Sequence, residues 1–131
     1  LALRHAAPNM TPDILVKAHK ANLQGDTAQD VHEWEAANRC FHRTILEPCQ
    51  MPRLMRSIDD LQAASARFIL RAWRTNWESR TDHDHRKILE ALRKGQVDLA
   101  CSTLSRHVGW IGKRSRTLKN QAGTDSSEFF R

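Results

Sequence analysis

Where the chain-breaking residues stand limits this sequence more than any other feature. Its prolines are Pro8, Pro12, Pro48 and Pro52, and each lies at the edge of an apolar stretch rather than inside one. Glycine occurs only five times in 131 residues, too rarely for the turns of a strand-rich fold. Between the breakers, apolar residues recur every three or four positions, the period of a helix with one buried face. The expected fold is all-α: an antiparallel bundle of about six helices.

Leu1 to Ala7 reads as the end of a first helix, stopped by Pro8-Asn9. The second has Thr11 as N-cap, Pro12 at its first position and Gly25 at its end. The third is expected to be capped by Thr27, with Asp30 three residues later, and to run to Pro48. The fourth starts at Pro52 and reaches about Trp77 along a stripe of Leu54, Ile58, Leu61, Ser65, Phe68 and Ala72. Thr81 is the expected cap of the fifth, with Asp84 three later. Its inward face is His85, Ile88, Leu89 and Leu92, and it closes at Gly95. The sixth covers about Gln96 to Asn120, with Val97, Ala100, Cys101, Leu104, His107, Val108 and Ile111 on one side. Residues 1–120 would form one domain and residues 121–131 a polar tail.

The net charge of +6 permits an anionic partner,. The basic residues are dispersed, however, except in Gly112 to Lys119. That cluster ends a helix, where cations also suit the dipole. A solvated basic surface is the simpler reading. Cys40, Cys49 and Cys101 include no CxxC pair, so neither a disulfide framework nor a thiolate zinc site is indicated. Free thiols fit a cytoplasmic location. No apolar run reaches membrane length and no signal peptide is present, so no membrane partner is expected. The chain begins within a helix, as a fragment of something longer would.

Among the seven histidines, His5, His19, His32 and His83 fall off or beside the apolar stripes and read as surface. DHDH (Asp82 to His85) could loosely chelate a metal, but Asp82 and His83 sit in a first helical turn and read rather as cap and dipole residues of the fifth helix. His42, His85 and His107 are different: each sits on the inward face of a separate long helix. Buried imidazoles need partners. Each could be hydrogen-bonded separately, or the three could share a metal ion, and spacing does not decide between these. Asn38 lies one turn before His42 and aims at the same spot. Neither HExxH nor Glu-x-x-His occurs, so neither a zincin nor a ferritin-like di-iron site is indicated. Three neutral imidazoles with open positions suit zinc or nickel. Glu33 and Glu35 are placed on other faces. With no inward carboxylate expected, a metal-dependent hydrolase is the weaker alternative. A metal-free helical dimerisation module is another.

The motifs NRCFH (Asn38 to His42), ILEPCQMPRLMRSI (Ile45 to Ile58), DHRKILEAL (Asp84 to Leu92) and TLSRH (Thr103 to His107) follow one another in order. In this they resemble the FCD domain, the effector-binding C-terminal half of FadR-type regulators in the GntR family of bacterial transcription factors. The resemblance runs from the truncated first helix to about Lys119. It implies a helical bundle, not an enzyme, that binds a small organic acid, often through a divalent metal in its cavity. The metal positions of the family fall on Asn38, His42, His85 and His107. Many members carry Asp where this chain has Asn38, and often Asn where it has Met51. An amide in place of a carboxylate would leave a bound dication nearer +2 than +1 and favour an anionic effector. The resemblance also implies a homodimer. A winged helix-turn-helix preceding this domain, and absent here, would contact operator DNA. For the effector, Arg39, Arg71 and Phe68 are the candidate contacts, against a background in which arginines are mostly exposed and aromatics at helical spacing mostly core.

Overall fold

The computed structural model describes residues 1–73, 77–78 and 82–109. Its helices are α1 (Ala2–Ala6), α2 (Pro12–Asp26), α3 (Val31–Leu46), α4 (Pro52–Ala72) and α5 (His83–Arg93). A further helix, α6, covers residues 97–109. Short 3-10 turns follow α1 at Ala7–Asn9 and α3 at Glu47–Cys49. No strand occurs among the described residues, and the chain forms the all-α bundle that its periodicity implies.

Local chemistry sets the helix ends, not always at the expected residue. At α2 the Thr11 side chain accepts from Ile14 N–H, with Pro12 in the first turn. At α3 the cap is Asp30 rather than Thr27. Asp30 accepts from Glu33 N–H at 2.9 Å, and the Glu33 carboxylate accepts from Gln29 N–H at 2.8 Å. This is nearly the reciprocal pattern of a capping box. Thr27 closes α2 instead, its hydroxyl donating to Leu23 O at 3.0 Å. At α5 the cap is Asp82, which accepts from His85 N–H at 3.0 Å, while Thr81 lies outside the described residues. Gly95 ends α5 at φ 68°. There Gln96 N–H reaches Ala91 O at 2.8 Å and Gly95 N–H reaches Leu92 O at 3.2 Å, the left-handed closure that glycine adopts most easily. Met51 precedes α4 as a cap residue that makes no side-chain bond. An Asn at this position could cap the helix.

α2 and α3 pair along their lengths as a helical hairpin, joined by residues 27–30. Small residues on α2 let them close: Ala18 and Ala21 are buried, and a Cβ on Gly25 would stand 3.6 Å from the Ala37 Cβ. α3 sends Phe41 and Ile45 into the centre, where Ile88 and Leu89 of α5 meet them. Ala6 of α1 and Ala100 of α6 complete the same core. The inward face expected for α5 is therefore the buried one. On α4 the buried face is rotated from the expected stripe: Leu61 is exposed, whereas Met55 and Ala66 are buried. Periodicity announces that a helix has an apolar side. The neighbour it meets, here chiefly α3, decides which edge of that side is covered. On α6, Val108 is likewise exposed and Thr103 is buried, while Ile111 lies outside the described residues.

Phe41→Ala should lower unfolding free energy by about 3–5 kcal/mol, because it empties a fully buried ring volume. Asp30→Ala should cost about 1 kcal/mol. Urea denaturation of the two variants checks both figures, and an Asp30→Ala variant as stable as wild type would overturn the assignment of the cap.

Candidate metal centre

Three of the helices each send one imidazole to the same point. His42 comes from α3, His85 from the first turn of α5 and His107 from α6, and all three are buried. The Nε2 of His85 lies 3.2 Å from the Nε2 of His42 and 3.2 Å from that of His107. Phe41 holds the His85 ring in place by stacking on it, with centroids 3.9 Å apart and planes 12° from parallel. His42 meets the same ring edge-on, at 84°.

The opposite nitrogens decide where the protons are. His85 Nδ1–H donates to Asn22 Oδ1 at 3.2 Å, from a residue of α2 that is itself buried. His107 Nδ1–H donates to Asp84 Oδ2 at 3.2 Å, and an ionised carboxylate can only accept. In a neutral imidazole one nitrogen carries the proton and the other a lone pair. With both rings neutral, His85 and His107 therefore turn two lone pairs towards each other in the protein interior. Burial, then the neighbouring His107, pushes the His85 pKa down to about 3. Burial, then His85 and His107, holds His42 well below the ordinary histidine range.

A divalent ion would relieve that repulsion. Zinc–nitrogen bonds and tetrahedral angles put donor atoms about 3.3 Å apart, close to the spacing found here. Imidazoles anchored through their far nitrogens by an amide and a carboxylate are also how metal-binding histidines are usually oriented. The donor set thus fits a metal ion of borderline softness.

Asn38 lies on α3 one turn before His42 and is half-buried. Its Oδ1 is buried without a hydrogen-bond partner among the described residues, as is Nδ2 of Asn22. Both residues line a cavity of about 10 Å³ beside His85, together with Asp26, Trp34 and Asp82. That is room for about one water.

Carboxylates do approach the cluster, contrary to the expectation from sequence. Asp82 Oδ2 is 3.5 Å from His85 Nε2 and 3.9 Å from His107 Nε2, and Asp84 holds His107 as described. The signal was present in DHDH (Asp82 to His85). A side chain that caps a helix lies over its first turn, and here that turn carries His85. Asn22 also went unnoticed, although an amide one turn from Ala18 and beside Ala21 stands on the small-residue side of α2. Glu35 is buried, where Arg39 of its own helix pairs with it at 2.8 Å. Arg39 and Arg71 are exposed and Phe68 is half-buried. His5, His32 and His83 are exposed and His19 is half-buried. The basic cluster Gly112 to Lys119 lies outside the described residues. Among those that are described, no helix is long and apolar enough to cross a membrane.

The sequence model of the family described as FCD domain matches residues 1–109. No curated protein shows a significant match. A solved structure, that of a transcriptional regulator (GntR family member) from Pseudomonas syringae pv. tomato str. DC3000, is similar in fold with a TM-score of 0.83 at 21% identity. The similarity covers 95% of this chain and 53% of that one, so this chain spans about half the regulator's length.

The histidine cluster makes the stability of metal-free protein depend on pH. His42 and His85 have folded-state pKa values below the unfolded value of about 6.5,. Below that pH the unfolded chain binds more protons than the folded one, so stability rises with pH and is lost as pH falls towards 3,. Thermal melts of chelator-treated protein between about pH 7 and pH 4 should show a falling Tm, and His85→Gln should flatten the slope. A Tm that is independent of pH in this window would contradict the buried, neutral state of these rings.

Proposed function

The chain belongs to the FCD domain family, and on that premise we propose that it is the ligand-sensing domain of a GntR-type bacterial transcription regulator. His42, His85 and His107 hold a divalent metal, zinc or nickel, and a small organic acid binds there. The observation that supports this most directly is the meeting of the three Nε2 atoms, two of them with lone pairs imposed by Asn22 and Asp84. Family membership, not the absence of a carboxylate, argues against the hydrolase alternative, since FCD domains are regulatory and not enzymes. Histidines that meet also remove the reason to treat them as separate core residues.

The bound ion would supply a fixed positive charge for the carboxylate of the effector. The chain does the rest. Asn22 and Asp84 fix two imidazole tautomers, Phe41 fixes a ring plane, and the surrounding aliphatic core excludes water and so strengthens each polar contact. Asn38 faces the site from α3 as a neutral ligand or as a hydrogen-bond partner of the effector. Phe68 and Arg71 of α4 are candidate effector contacts, together with Arg39, which would first release Glu35. In the whole regulator a homodimer of this domain sets the spacing of two DNA-reading heads that precede it in the chain. A cytoplasmic location goes with that role. Effector binding would shift the spacing with a coupling of about 1–3 kcal/mol.

Purified chain should carry about one divalent ion per molecule by elemental analysis, and His85→Ala and His107→Ala should lose it. In a thermal-shift screen of small mono- and dicarboxylates, an effector at about a hundred times its Kd should add about 2.7 kcal/mol of stability. Wild-type protein that takes up no metal at micromolar concentration would overturn the metal site. If metal-free protein bound the same acid unchanged, the ion would have no part in sensing.

A further inference from the structure

Asp82 is held by two hydrogen bonds that leave one of its oxygens facing the histidines. Its Oδ1 caps α5 by accepting from His85 N–H at 3.0 Å. Its own N–H donates to Asp26 Oδ1 at 3.1 Å. Asp26 in turn pairs with Arg86 at 2.6 Å, which ties the start of α5 to the end of α2. Oδ2 then lies 3.5 Å from His85 Nε2 and 3.9 Å from His107 Nε2. The side chain is only 15% exposed.

This carboxylate lacks a cationic partner of the kind its neighbours have. Asp26 pairs with Arg86 and Asp84 with Arg106, but no lysine or arginine among the described residues pairs with Asp82. Neutral imidazoles do not take that place as donors. In their neutral forms His85 and His107 carry the proton on Nδ1, towards Asn22 and Asp84, and turn lone pairs towards Oδ2. With both rings neutral, acceptor atoms from α5, α6 and the α5 cap converge on one small volume.

We propose that Asp82 is the fourth protein ligand of the metal centre, and that it supplies the negative charge that Asn38 does not. This rests on the metal reading of the three histidines. Donor atoms on one zinc ion stand about 3.3 Å apart, and Asp82 Oδ2 stands 3.5 Å and 3.9 Å from two of the three imidazole nitrogens, so metal binding would draw this carboxylate inward. With three neutral imidazoles and one carboxylate, a dication keeps a net charge of +1 rather than +2. The charge comes from the start of α5 instead of the middle of α3. The effector then meets a weaker positive field, and the Asn38 amide is free to recognise it by hydrogen bonding.

Asp82→Asn is the discriminating variant, because asparagine caps a helix as well as aspartate does. Zinc affinity is read by competition with a chromogenic chelator on the whole chain. Visible ligand-field bands of the Co²⁺-loaded protein report the donor set, and far-UV circular dichroism of metal-free protein checks the fold. The expected result is zinc binding weakened by about tenfold to a hundredfold, Co²⁺ bands that shift, and unchanged helicity. Equal affinity and equal spectra would overturn the proposal while leaving the histidine site standing. Weaker binding with unchanged Co²⁺ bands would also overturn it, since Asp82 would then act only by positioning His85. If wild type bound neither ion, the underlying metal reading would fail first.

Discussion

Two imidazole nitrogens held 3.2 Å apart in a buried site are the constraint on which the rest of this domain turns. Nothing in an ordinary helical core calls for them. They persist because each ring is fixed from behind: His85 by Asn22 and by the face of Phe41, His107 by Asp84. Remove those partners and the rings could turn their protons inward and pair with each other. With them in place, the centre of the bundle presents acceptors to a cation. The surrounding Ile45, Ile88, Leu89 and Ala100 keep it dry, which makes both the repulsion and its relief larger than they would be in water.

The architecture serves this arrangement through ordinary helix chemistry. Small residues on α2 bring α3 close enough for Asn22 and His42 to approach His85 from two sides. The cap of α5 does double duty. One oxygen of Asp82 satisfies the first-turn backbone, the usual role of an N-cap, while the other faces the cluster. Asp26 and Arg86 lock that end of α5 onto α2. Site geometry and helix start are thus one structure, so a change meant for one acts on the other.

Much of the fold was legible along the chain. Thr11-Pro12 and Gly95 marked real helix boundaries, and the stripe of α5 was the buried one. The errors have local causes. Thr27 and Asp30 compete for one short turn, and the winner is the residue whose partner at Glu33 reaches back to the preceding backbone. Leu61 fits the period of α4 yet remains exposed, because a helix docked mainly on one neighbour covers less than its whole apolar side. The resemblance to FCD domains, carried by four short motifs in order, agrees with the family match over residues 1–109.

For the site, the sequence by itself determined which imidazoles point inward, because a period of 3.6 residues fixes the face of a helix on which a residue lies. It also determined that Asn38 and His42 share a face. Convergence was decided only by the tertiary structure. Helix rotations and crossing distances come from packing Ala18, Ala21, Phe41 and Ile88 together, and no spacing within one helix encodes the distance to another. The same is true of Asn22, Asp82 and Asp84. Their residue types allow many roles, and each acquired its own only when α2, α5 and α6 came to within a hydrogen bond of one another.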